Sequence, residues 1–189
     1  MPLPSFNAAD YPAQLATKVA QFKADFAPFG LPEPAVHSSE TQHYRLRAEF
    51  RIWHQNERVF YAMFDPDNPK RPVVIEDFPA ASTTICSAMP NLLRELEDNE
   101  ALRTRLFQAN FLSTLSGELL ITLLYHRQLD AAWEQAAQVL VEKLGAQIVG
   151  RSHKQKIVIG RDWLLEEFEL IGRTLRYQQI EGSFTQPNG

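Results

Sequence analysis

His43–Trp53 reads HYRLRAEFRIW. Tyr44, Leu46, Ala48, Phe50 and Ile52 alternate with Arg45, Arg47, Glu49, Arg51 and Trp53. A period of two is that of a strand, whose successive side chains leave opposite faces of the sheet. The first set is apolar enough to line a core. The second carries three guanidinium groups, a carboxylate and an indole. Arginine is planar, permanently charged and able to hold phosphate with two parallel hydrogen bonds. A row of arginines ending in an aromatic suits a nucleic-acid face. Taken by itself, the stretch fits better an ordinary amphipathic strand with a solvated outer side.

After this strand, Gln55-Asn56-Glu57-Arg58 makes a turn, Val59–Phe64 a second strand, Asp65–Pro69 (DPDNP) a loop and Pro72–Glu76 a third strand. Short strands with tight connections predict an antiparallel meander. Asp65 and Asp67 lack the glycine and later glutamate of a calcium loop, so a polar turn is expected. Before the strand, Asp10–Phe29 places Tyr11, Leu15, Val19, Phe22, Phe26 and Phe29 on one helical face, with Asn7 or Asp10 as cap. Its polar side mixes Lys18 with Asp25, so the stripe is expected against the core rather than on a membrane. Pro28 and Gly30–Pro34 end the helix.

Farther along, Ala80–Glu97 is a helix with Ile85, Met89, Leu92, Leu93 and Leu96 on one side, and Pro90 is expected to kink or divide it. The charged end Glu95–Glu100 is expected to be solvated. Leu106–Leu115 and Leu119–His126 form a hairpin, its second strand apolar on both faces and therefore central. Asp130 caps a helix to Leu144 that turns Trp133, Ala137 and Leu140 inward and closes at Gly145. Gln147–Val149 and Lys156–Ile159 flank a basic turn, and Trp163–Leu170 and Thr174–Gln178 are two further runs. The sum is an α+β fold, an antiparallel β-sheet with about three packed helices.

The 189 residues carry a net charge of −4, so nucleic-acid binding has to rest on local basic patches. Cys86 is the single cysteine, which excludes an internal disulfide and thiolate-built zinc or iron–sulfur sites and fits a reducing, cytoplasmic setting. The N-terminus has no basic region followed by an apolar run, and no apolar stretch approaches membrane-spanning length, so neither signal peptide nor membrane contact is expected. With no histidine near it in sequence, Cys86 is expected to be a small buried residue. His37, His43, His54, His126 and His153 show no metal-ligand spacing. No glycine-rich phosphate loop and no serine elbow is present. A chain without a catalytic constellation is a binding module or part of something larger. Three basic patches remain: Arg45, Arg47 and Arg51; Arg103 and Arg105, ahead of Phe107 and Phe111; and Arg151, His153, Lys154 and Lys156. Gathered on one sheet with aromatics between, they make an RNA surface of phosphate contacts and base stacking.

HYRLRAEFRIWH (His43–His54), DFPAAS (Asp77–Ser82), LYH (Leu124–His126) and SFTQPN (Ser183–Asn188) resemble, in order, the N-terminal half of the tRNA (uracil-5-)-methyltransferase family. The resemblance implies an enzyme that makes 5-methyluridine in the tRNA T-loop with S-adenosylmethionine. It implies an RNA-binding domain over residues 1–179, with 180–189 starting the link to a methyltransferase domain that holds the catalytic cysteine and glutamate. Cys86 does not match that nucleophile, so this chain alone is expected to be inactive and to hold neither cofactor nor metal. By the resemblance Arg51 contacts the T-loop, Phe107 supports the loop near the flipped base, and Gln186 contacts S-adenosylmethionine. Arg45, Arg47, His126 and Lys154 complete the candidate RNA-binding set. With the second half missing, Gln186 is expected in a disordered or displaced tail. Expected partners are the tRNA T-arm and the chain's own C-terminal domain. The alternative is a scaffold that docks on the catalytic half and binds little RNA. A ribosomal-RNA branch of the family that carries an iron–sulfur cluster is excluded by the single cysteine.

Overall fold

The computed structural model describes residues 7–65 and 68–188. Residues 1–6, Pro66, Asp67 and Gly189 lie outside them, and with Pro66 and Asp67 so does the polar turn expected at DPDNP. The deciding strand is β1 (Arg47–Gln55). Its alternation holds: Leu46, Ala48, Phe50 and Ile52 are buried, while Glu49, Arg51 and Trp53 are exposed. It starts later than the pattern suggests. His43 adopts a left-handed φ of 55°, and the N–H groups of His43 and Arg45 donate to Pro79 and Ala80. Those residues line the Phe78–Ser82 segment instead of joining a neighbouring strand.

A tight turn at Asn56 and Glu57 leads to β2 (Arg58–Asp65), and β3 (Asn68–Val74) follows. The hairpin β4 (Leu106–Ser113) and β5 (Leu119–Tyr125) adds to the other side of β1. Then come β6 (Gln147–Ser152) and β7 (Gln155–Ile159). The seven strands run in the order β3-β2-β1-β4-β5-β6-β7. Every neighbouring pair is antiparallel except β5–β6. That parallel pair is joined through a helix, as a parallel connection requires.

Three helices lie on one face: α2 (Thr83–Asp98), α3 (Glu100–Arg103) and α4 (Ala131–Leu144). Ser82 caps α2 and Asp130 caps α4, each accepting the N–H three residues on. Pro90 does not divide α2. It sits on the exposed side, away from the buried stripe of Ile85, Met89, Leu92 and Leu96. The charged helix end is not merely solvated: Glu95 pairs with Lys143 of α4 at 2.7 Å, and Glu97 accepts the N–H of Val59. The core centres on Phe50, Tyr61, Phe111, Leu92 and Trp133. Phe111 therefore belongs to the interior and not to an RNA face.

The first helix, α1 (Tyr11–Phe26), departs from expectation. None of its residues is buried, and Phe22 and Phe26 are more than two-fifths exposed. The helix face of the sheet is already filled by α2, α3 and α4. Periodicity reveals a stripe but not what covers it.

The two last strands, β8 (Trp163–Leu170) and β9 (Arg173–Ile180), form a separate ribbon. It closes one end of the sheet's outer face. Leu164 packs on Leu112, Leu120 and Val149, and the buried Glu166 carboxylate accepts the Leu115 N–H and the Gln179 amide, each at 3.0 Å. The opposite end of that face stays open. Residues beyond the ribbon return to β1, where the Leu46 N–H donates to Pro187 O at 2.6 Å and Arg47 reaches Ser183 O. The segment that carries Gln186 is thus docked on the domain and not displaced.

Candidate nucleic-acid interface

The open end of the outer face is built by a break in β4. Arg105 takes a left-handed φ of 57°, and the β4–β5 register shifts between Leu106 and Gln108. Phe107 is the extra residue, and a bulge of this kind re-aims its side chain. The ring lies flat on His126, at 3.9 Å between centroids and 13° between planes. The Arg51 guanidinium sits 5.5 Å from the Phe107 ring and 6.0 Å from Phe64. Cation, phenyl and imidazole thus form one stacked group, joining β1, β4 and the end of β5.

Beside this group lies a cleft of about 760 Å³ lined by Arg105, Phe107, Leu124, His126, Arg127, Arg151 and His153, among others, with no carboxylate in its wall. It opens at the carboxyl ends of the parallel strands β5 and β6, the usual place for a ligand in such a pair. Its floor is fixed by backbone and amide bonds. Arg105 Nε donates to His126 O, Ser152 to Arg127 O, Gln128 to His153 O, and Gln155 exchanges two bonds with Leu129.

The cations differ in how free they are. Arg127 spends its guanidinium on the carbonyls of Ala101, Thr104 and Gln128, so it holds the wall together. Arg103 likewise donates to Glu97 O. Arg151 is bound twice by Glu181, at 2.9 and 2.6 Å, and Lys156 is shared between Asp162 and Glu181. Burial works to raise the Glu181 carboxyl, but the Arg151 bonds outweigh it and hold the group below the usual carboxylate range. The basic turn is therefore half neutralised. Arg51 and Lys154, among the described residues, have no acidic partner.

Of the residues singled out in the sequence, Arg51, Phe107 and His126 come together, with Lys154 at the tip of the β6–β7 turn next to His153. Arg45 and Arg47 lie toward the other end of β1. Arg45 bridges Ala81 and Asn188, and Arg47 pairs with Glu49 at 2.7 Å. Gln186 is exposed. Arg127 escaped the sequence reading; its only signal was its place just past the strand end Leu124-Tyr125-His126. Cys86 is half-buried and, despite the sequence distance, its sulfur lies 3.9 Å from His43 Nδ1. Burial and the Asp77 charge push its thiol up, and it donates to the Phe78 and Ala81 carbonyls, which is the chemistry of a structural thiol. Among the described residues no group of three or more His, Cys, Asp or Glu is placed to hold a metal ion, and no helix is long and apolar enough to cross a membrane.

The domain is thus a helix-backed sheet with a cationic, aromatic cleft on its open face. The chain belongs to the tRNA (uracil-5-)-methyltransferase family, whose model matches residues 10–189. It is 61% identical over 189 residues to a tRNA/tmRNA (uracil-C(5))-methyltransferase of Dechloromonas aromatica and 52% identical to one of Azotobacter vinelandii, covering all of this chain and 52% of each relative. The chain thus spans about half the length of the curated relatives it matches. Among solved structures it is similar to a Pyrococcus abyssi tRNA (uracil-54, C5)-methyltransferase in complex with S-adenosyl-L-homocysteine. The TM-score is 0.66 at 15% identity, over 94% of this chain and 44% of that one, a likeness of fold.

Proposed function

We propose that this chain is the RNA-recognition half of a cytoplasmic, S-adenosylmethionine-dependent tRNA (uracil-5-)-methyltransferase that forms 5-methyluridine in the T-loop. Residues 1–179 are the RNA-binding unit and 180–189 begin the link to the methyltransferase half. The observation that carries the reading is the Arg51–Phe107–His126 group at the mouth of a carboxylate-free cleft. A uridine in a folded T-loop is stacked, and chemistry on its ring requires the loop to be opened at a cost of a few kcal/mol. Phosphate contacts through Arg51 and Lys154 and stacking on Phe107 supply that energy in kind.

The cofactor is a different matter. Gln186, the residue the resemblance points to, is exposed and lines neither the 760 Å³ cleft nor the 640 Å³ cleft beside α1. One amide makes no cradle for a nucleoside, so these residues do not fit S-adenosylmethionine by themselves, and no methylation step is derived from this chain.

The test is titration of a labelled T-arm hairpin at several salt concentrations. The reading expects affinity that falls with salt and weakens when Arg51 or Phe107 is replaced. It is overturned if the domain shows no binding at low salt and the two-half enzyme keeps its affinity with both residues replaced. Tight association of the two halves in trans, with negligible RNA binding here, selects the scaffold instead.

A further inference from the structure

We propose that the apolar stripe of α1 is the docking face for the other half of the full-length protein, the part of its relatives' length that this chain does not cover. The inference rests on the reading of the chain as an N-terminal half. Leu15, Val19, Phe22 and Phe26 share one side of α1, and Phe29 and Leu31 continue it past the helix end. The Phe22 and Phe26 rings lie 4.6 Å apart and Phe26 and Phe29 6.1 Å. Between Phe22, Phe26, Leu31, Pro32 and Pro34 runs a groove of about 140 Å³, room for an apolar side chain. A helix of 16 residues is marginal in water and draws its stability from covering its apolar face. The face stays open at Phe22, Phe26 and Phe29, each more than two-fifths exposed, and α2, α3 and α4 already occupy the sheet.

Two observations name the occupant. The matched relatives are about twice as long, so a second mass of protein belongs beside this one. The chain also reaches its last described residue at α1: Asn188 bridges Arg45 and lines, with Tyr11, Leu15 and Lys18, a single cleft of about 640 Å³. A chain continuing from there emerges beside the Tyr11–Leu15 end of the stripe, and covalent tethering gives docking a raised effective concentration. Charge argues against RNA on this face. Lys18 and Lys23 are balanced by Asp10 and Asp25, and Lys23 is held by Glu33 at 2.5 Å.

Hydrogen exchange on the full-length protein tests this. Amides of residues 15–26 are expected to be protected by about 100-fold or more over free-helix rates. Phe22→Ser with Phe26→Ser is expected to abolish that protection and to speed proteolysis in the link at 180–189, with the salt dependence of T-arm binding unchanged. Near-unprotected α1 in the native protein, or protection that survives the double substitution, overturns the proposal. Protection that scales with protein concentration and accompanies a dimer in sedimentation assigns the face to a second copy and overturns it too. Loss of T-arm binding by the native enzyme would sink the functional reading, a result read separately from α1.

Discussion

Arg51→Gln takes one cation from the cleft while keeping much of the side-chain length. Among the described residues the guanidinium has rings as its partners, Phe107 at 5.5 Å and Phe64 at 6.0 Å, whereas Arg47 and Arg151 are held by Glu49 and Glu181. Its charge is therefore free for phosphate. A charge-assisted bond is worth about 1.5–3 kcal/mol. Exposure of Arg51 brings this down to roughly 1 kcal/mol, a loss of affinity of about fivefold. One phosphate contact fewer also lowers the slope of log K against log salt by about 0.7–0.9. Phe107→Ala removes a stacking surface worth about 1–3 kcal/mol per base and leaves the slope alone. Fluorescence anisotropy with a T-arm hairpin over a range of salt concentrations reads both numbers. An unchanged slope in Arg51→Gln, or a changed slope in Phe107→Ala, would refute the division of labour between phosphate and base. Arg51 is exposed, so its substitution is expected to move folding stability by no more than about 0.5 kcal/mol.

Gly150→Ala is expected to destabilise the domain by about 1–3 kcal/mol, since the new Cβ would lie 2.6 Å from both Leu129 Cδ1 and Trp133 Cζ2 in a filled core; a denaturant melt with unchanged m-value checks this. Glu166→Ala leaves the Leu115 N–H and the Gln179 amide unpaired beneath the ribbon, at a cost of about 2–3 kcal/mol. Faster hydrogen exchange confined to β8 and β9 is the expected sign, and uniform exchange would argue against the role given to Glu166. Glu181→Gln tests the ion pair by pH. Arg151 holds the native carboxyl below its usual range, so its contribution is present at neutral pH and is lost as pH falls below that range through the lowered folded value. The gap in melting temperature between native and variant proteins is therefore expected at pH 7 and should vanish in strong acid. A gap that persists in acid would assign the effect to packing.

Much of the fold was legible because period two is a local signal. The alternation in Leu46–Trp53 marked both faces of β1, and the apolar run Leu119–Tyr125 marked β5 as an interior strand. Asp130 and Gly145 bracketed α4 for the same reason, since caps act within one turn. What stayed hidden depends on distant partners. The aromatics of α1 read as core because a stripe does not announce its cover. Arg151 and Lys156 read as free cations because Glu181 and Asp162 meet them only through the fold. Phe107 was found by resemblance; its aim comes from a register shift that spacing does not show. His126 joins it only because β4 and β5 pair, which brings the end of one strand to the start of the other.

The seam between β1 and the residues after the ribbon also sets an order of assembly. Arg47 meets the carbonyl of Ser183 across 136 residues, and the neighbouring Leu46 N–H waits for Pro187. During synthesis β1 emerges early and pairs with β2 and then β4, and its neighbouring Leu46 N–H stays unpaired until residues 183–187 follow. Closing so long a loop costs only about 0.6 kcal/mol more than closing one of half the length. Translation time, more than free energy, therefore delays the seam. A nascent chain halted before residue 183 would present this open flank to chaperones, and completion of the seam would mark the moment the domain becomes a closed unit.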